Sequence, residues 1–174
     1  APAGAGNPAR PVMDYFILKY IHILGATVLL GTGSGIAFFM VAAHRTGSAA
    51  TVAAVARIVV HADFVFTATA VVLQPISGIL LALNVGYPLG EGWIVLSILL
   101  YLLTGAFWLP VVWMQIHMRD LADAASSTGS PLPAAYHRLF WAWFSCGFPA
   151  FAAVAGIFWL MISRPSLAAF TIGG

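Results

Sequence analysis

Hydrophobic residues fall into four long runs, at about 15–43, 59–85, 93–117 and 139–163, parted by short polar stretches. Crossing roughly 30 Å of hydrocarbon takes about 20 helical residues at 1.5 Å each, and every run exceeds that. Each therefore predicts a transmembrane helix long enough to tilt or to project beyond the hydrocarbon. Strands are excluded as spans, because four cannot close a barrel and an open sheet edge is not tolerated in lipid. The expected fold is all-α, a four-helix transmembrane bundle occupying residues 13–165 as one domain.

The intervening segments differ in character. Residues 44–58 form a first connection with an Ala-rich piece able to extend the second helix, and residues 86–92 (GYPLGEG) make a tight turn. Residues 118–138 are the most polar stretch, with a Ser/Gly/Pro loop at their middle. Residues 1–12 lack the basic start and apolar run of a signal peptide and are expected as an N-terminal extension, with 166–174 as a C-terminal tail.

Composition agrees with a lipid solvent. Only 7% of residues are charged and 61% are hydrophobic, with a mean hydropathy of +0.98, too little polar surface to cover a water-soluble particle. The net charge of +2 comes from seven scattered basic residues, so it argues for topology markers and against nucleic acid. Arg45, Arg57, Arg119 and Arg138 flank the first and third connections, whereas the second has no basic residue. The positive-inside rule then places those two connections in the cytoplasm and both termini on the periplasmic side of a bacterial inner membrane. Cys146 is alone, which excludes an intrachain disulfide and a cysteine zinc site.

Chemistry can come only from polar groups inside the runs, where an ionisable side chain costs at least about 2–3 kcal/mol. At 100° per residue, Lys19, His22, Ala26, Gly33, Ala37 and His44 share a stripe about 60° wide on the first helix. His22 should lie about 10 Å below the outer surface, on a face lined by small residues. Such a face suits a neighbouring helix, with Gly31-xxx-Gly35 as a packing seam, or a flat porphyrin. The second helix carries Asp63, Thr67, Ala70, Gln74 and Gly78 on one stripe, and the third Ser97, Tyr101, Thr104, Trp108 and Gln115. Both stripes must point inward, giving a polar interior that either joins helices or walls a pocket. Pro75, Pro110 and Pro149 each free a backbone carbonyl inside a helix. His44, His61, His117 and His137 gather toward the inner surface, where imidazoles could bind copper or zinc. Phe140, Trp141, Trp143 and Phe144 read as an interfacial aromatic belt. No phosphate-binding loop, HExxH or Ser–His–acid arrangement is legible.

Lys19-Tyr-Ile-His22-Ile-Leu-Gly25, Ala62-Asp63, Leu73-Gln74-Pro75-Ile-Ser-Gly78, Trp108-Leu-Pro110 and Phe148-Pro149-Ala-Phe together form a pattern. Over residues 13–165 it resembles an uncharacterised bacterial family of predicted integral membrane proteins. A fainter likeness is to the HemJ-type protoporphyrinogen oxidase and the CopD copper-resistance domain. The HemJ-type family opens with a Lys-x-x-His, matched here by Lys19 and His22. That likeness implies a haem b ligand at His22. Lys19 and Arg164 would then neutralise the propionates, Gly25, Ala26 and Gly33 would make room for the ring, and Met161 could supply a sixth ligand. The expected activity is electron transfer from a quinol or porphyrinogen. The alternative is a cofactor-free membrane carrier, or a subunit assembling with copies of itself or with another membrane protein.

Overall fold

The computed structural model describes residues 9–172 and is helical almost throughout. Helix α1 spans Ala9–Arg45, α2 Ala49–Ala62, α3 Ala68–Val85, α4 Gly92–Thr128 and α5 Ala134–Ser163. A π-helical turn, Asp63–Thr67, joins α2 to α3 without a break, so the two form one span. Four helices are thus long and apolar enough to cross a membrane, in agreement with the four hydrophobic runs. Residues 1–8 of the expected N-terminal extension lie outside the described residues, and α1 already includes its last part.

Local chemistry sets the ends. Ser48 caps α2 by accepting the Thr51 N–H on its Oγ at 3.3 Å, satisfying one of the N–H groups that a helix start leaves free. Gly86 (φ +86°) and Gly129 (φ +65°) stop α3 and α4 in the left-handed conformation, which costs glycine nothing sterically. Pro131 and Pro133 separate α4 from α5, and α5 ends at Arg164 before Pro165. The tail makes a 3₁₀ turn at Ala168–Phe170 and returns to the α3–α4 turn, where the Ile172 N–H donates to the Gly90 carbonyl at 2.9 Å.

The α4 helix runs 11 residues past the expected end of its apolar run, through much of the most polar segment. Met118, Ala122 and Ala125 are buried there at a spacing of four and three, so one face stays apolar while the overall composition turns polar. On the rim of that extension, the Arg57 guanidinium pairs with Asp123 at 2.7 Å.

Along the bundle α4 pairs with α5, α2 with α4, and α1 with α2 and α3. The main core lies toward the end that carries the first and third connections. It is built on Met40, Val52, Ala56, Met118, Tyr136 and Phe140. A smaller cluster of Trp93, Ile94 and Leu160 closes the opposite end. Outside these clusters the helices present Phe38, Ile58, Leu102, Leu109, Trp159 and Ile162 outward, an apolar surface suited to acyl chains.

Candidate functional site

Two polar groupings lie within the spans. The first joins α1 to α3. Ser77 Oγ lies 2.8 Å from the Leu73 carbonyl, an acceptor on the backbone four residues back. His22 Nδ1 stands 2.9 Å from the same Oγ. With the Ser77 proton on a backbone carbonyl, whether of Leu73 or of Gln74 at 3.2 Å, an Nδ1–H donates to Oγ; with that proton turned to Nδ1, the roles reverse. No hydrogen bond reaches Nε2 among the described residues. One residue on, the ring packs over Gly78, where a Cβ would stand 3.0 Å from His22 Cε1. Gln74 Nε2 donates to the His22 carbonyl at 2.8 Å, and its amide fills the space beside Gly25. One and two turns further out, Leu18 and Asp14 line a groove of about 460 Å³ with Ile17, Leu80 and Asn84.

The second grouping joins the second span to α4 and α5. Asp63 is 4% exposed and begins the π turn, where the Ala68 N–H reaches back five residues to the Asp63 carbonyl. Trp108 Nε1 donates to Asp63 Oδ1 at 3.4 Å. Gln115, with its amide oriented to satisfy both ends, donates to Asp63 Oδ2 at 3.2 Å and accepts from Trp143 Nε1 at 3.2 Å. Thr67 Oγ1 is buried one turn on and makes no hydrogen bond among the described residues.

Between the two groupings, the Tyr101 hydroxyl donates to the Val71 carbonyl. That carbonyl lies four residues before Pro75 and would bond the N–H that proline lacks. The freed carbonyl is thus satisfied by a neighbouring helix, as a lipid environment demands.

The inward stripe of the second span is the buried face: Asp63, Thr67, Ala70 and Gln74 are all buried, with Gly78 against His22. Of the third-helix stripe, Trp108 and Gln115 meet Asp63, Tyr101 meets α3, and Ser97 and Thr104 bond their own backbone. The residues expected around a porphyrin are more dispersed. Lys19 is exposed, with Nζ 5.5 Å from the Tyr15 ring centre. Ala26 is half-buried, whereas Gly33 is exposed with nothing near its Cα side. Met161 packs on the Trp93 cluster, and Arg164 donates to the Tyr87 hydroxyl at 2.9 Å. None of these contacts joins Met161 or Arg164 to His22.

The inner histidines also separate. His44 stacks on Phe140 with ring centres 3.7 Å apart and lies 3.3 Å from the Tyr136 hydroxyl and 5.5 Å from the His137 ring centre. His61 and His117 are exposed, the latter bonded to the Trp113 carbonyl. Among the described residues no three His, Cys, Asp or Glu side chains are grouped to hold a metal ion.

The aromatic belt needs correction. Phe140 and Trp143 are buried, and only Trp141 of the first three faces outward strongly. Trp143 belongs to the Asp63 grouping through Gln115, a place that its position in an aromatic run concealed. Its spacing of three from Phe140, on one helical face, was the available signal.

The sequence model of a family described as "Predicted integral membrane protein (DUF2269)" matches residues 16–165. This bears out the family resemblance drawn from the first-helix, Gln74-Pro75 and Trp108 motifs. No curated protein and no solved structure matches the chain, so the likeness to the HemJ-type oxidase rests on Lys19 and His22 alone and that to CopD gains no support.

Proposed function

The chain belongs to the DUF2269 family of predicted integral membrane proteins, and on that premise we propose that it binds haem b through His22 as a redox protein of the bacterial cytoplasmic membrane. One observation carries the reading: Ser77 Oγ holds His22 Nδ1 at 2.9 Å, and no hydrogen bond occupies Nε2 among the described residues. Histidines that ligate metals almost always have their other nitrogen held in this way, which orients the ring and raises its basicity. Haem, when bound, supplies one-electron transfer, and a quinol or porphyrinogen is the lipid-soluble donor class that reaches such a site.

The fit is good for the ligand and narrower for the cradle. Gly25 does not offer room for the ring, because the Gln74 amide occupies its space. The nearest groove, of Asp14, Leu18, Leu80 and Asn84, lies one turn outward and is not lined by His22, so a ring seated there must part α1 from α3 to reach Nε2. Met161 and Arg164 are left out of it.

The test is an absorption spectrum of protein purified from haem-supplied cells. A Soret band is expected, lost in His22→Ala and retained with roughly tenfold or more weaker haem affinity in Ser77→Ala. Colourless protein, or a band indifferent to His22→Ala, overturns the proposal. That result would favour the cofactor-free carrier or assembly subunit, for which the close packing at Gly25 and Gly78 already speaks.

A further inference from the structure

The buried grouping around Asp63 takes no part in holding haem, and its chemistry is that of a proton site. Asp63 is the one acidic residue deep in the spans; the others are Asp14, Glu91, Asp120 and Asp123, at helix ends and in the polar extension of α4. No basic side chain pairs with it among the described residues. The neighbouring elements offer no other titratable group at its depth. α1 has none between His22 and His44, and α4 has none between Tyr101 and His117. α5 has only Cys146 between Arg138 and Arg164, and the second span has none from Asp63 to Val85, with exposed His61 two residues before it.

The partners of Asp63 divide by protonation state. Trp108 and Gln115 aim N–H groups at its two oxygens, an arrangement that suits a carboxylate. The Thr67 hydroxyl can serve either state, donating to the carboxylate or accepting from the acid. Thr69, Ser77, Ser97 and Thr104 all close their hydroxyls onto the carbonyl four residues back. Thr67 does not, and its oxygen stays buried beside Asp63 without a hydrogen bond among the described residues. An acid O–H needs an acceptor, and an unpaired buried oxygen costs about 1–3 kcal/mol until it finds a donor. A metal cation is poorly served here, since N–H groups face both carboxylate oxygens and the Gln115 carbonyl is turned to Trp143.

We propose that Asp63 and Thr67 form a proton-binding site within the membrane, with Trp108 and Gln115 holding the ionised form and Thr67 accepting from the acid form. Taking up a proton moves one hydrogen bond from the α4 donors to Thr67, on the second span itself. It thereby loosens the tie between the second span, α4 and α5. The π turn is suited to this shift, since such turns interrupt the helical ladder and recur at functional sites.

The experiment is pH-difference infrared spectroscopy of the full chain in phospholipid vesicles, with aspartate labelled by ¹³C at its carboxyl. A carboxylic-acid carbonyl band that titrates with one proton, shifts with the label and vanishes in Asp63→Asn is expected. Gln115→Leu removes a donor to the ionised form and should move the midpoint up by about 1 pH unit, and Thr67→Val removes the acceptor of the acid O–H and should shift the frequency of the acid band. Asp63→Asn is isosteric and keeps an acceptor for Trp108, and its helical circular dichroism and single elution peak establish that it folds. An unchanged band in folded Asp63→Asn overturns the proposal, as do a midpoint that stays fixed or falls in Gln115→Leu and an acid band left unmoved in Thr67→Val. The band should persist in His22→Ala, so failure of the haem reading and failure of the proton site are distinguishable.

Discussion

Gly25 and Gly78 set how closely α1 and α3 approach. A methyl group at Gly25 would stand 2.6 Å from Gln74 Nε2, and the amide can retreat only by giving up its bond to the His22 carbonyl. At Gly33 nothing lies within 4 Å. The same substitution should therefore act oppositely at two glycines of one helix. Gly25→Ala is expected to destabilise by about 1–3 kcal/mol, as overpacking does. Gly33→Ala should be neutral or stabilising by up to about 1 kcal/mol, because alanine is the better helix former. Reversible unfolding in mixed micelles measures both, and equal effects would mean that α1 and α3 do not meet as described. The small residues of α1 made close approach legible but pointed to Gly33 and to a Gly31–Gly35 seam, which meet no other helix; the contact falls at Gly25, beside the stripe. Periodicity gives a face, whereas the opposing side chain decides where that face is used.

Pro75 and Tyr101 show how one element corrects a defect in another. The proline leaves the Val71 carbonyl without its intrahelical donor, and α4 supplies the Tyr101 hydroxyl. Tyr101→Phe should cost about 1–2 kcal/mol, within the range for interhelical bonds in membranes. In a Pro75→Ala background, where an N–H is restored, the same change should cost much less. A double-mutant cycle by micellar unfolding reads the difference, and strict additivity would disprove the pairing. The prolines and the need for a neighbouring donor were plain from the chain, but the identity of the donor depended on how α3 and α4 pack. The π turn was illegible for a related reason: Asp63 and Thr67 are four residues apart, a spacing an ordinary helix accommodates equally well. The extension of α4 to Thr128 was hidden by polarity, since Arg119, Asp120 and Asp123 mask the buried stripe at Met118, Ala122 and Ala125.

At the scale of the whole molecule, the first and third connections share one end. His44 on α1 stacks on Phe140 of α5, and Arg57 on α2 pairs with Asp123 of α4. The pair holds little of the fold together, because Arg57 is 64% exposed and water and salt screen the contact. Charge at this end matters more for insertion. Arg45, Arg57, Arg119 and Arg138 cluster here, while Lys19 and Arg164 mark the other end. Basic residues near helix ends are retained in the cytoplasm, so the end bearing Thr46 and Ser130 should face inward and the turn bearing Leu89 outward. In a Cys146→Ala background, single cysteines at positions 46 and 130 should resist an impermeant maleimide in intact cells and react after lysis, and one at 89 should react in both. The structure requires 46 and 130 to behave alike, whichever side they occupy, because their connections cap the same end of the bundle. Divergence between those two positions would contradict the fold, whereas a joint reversal would contradict only the charge rule and leave the bundle intact.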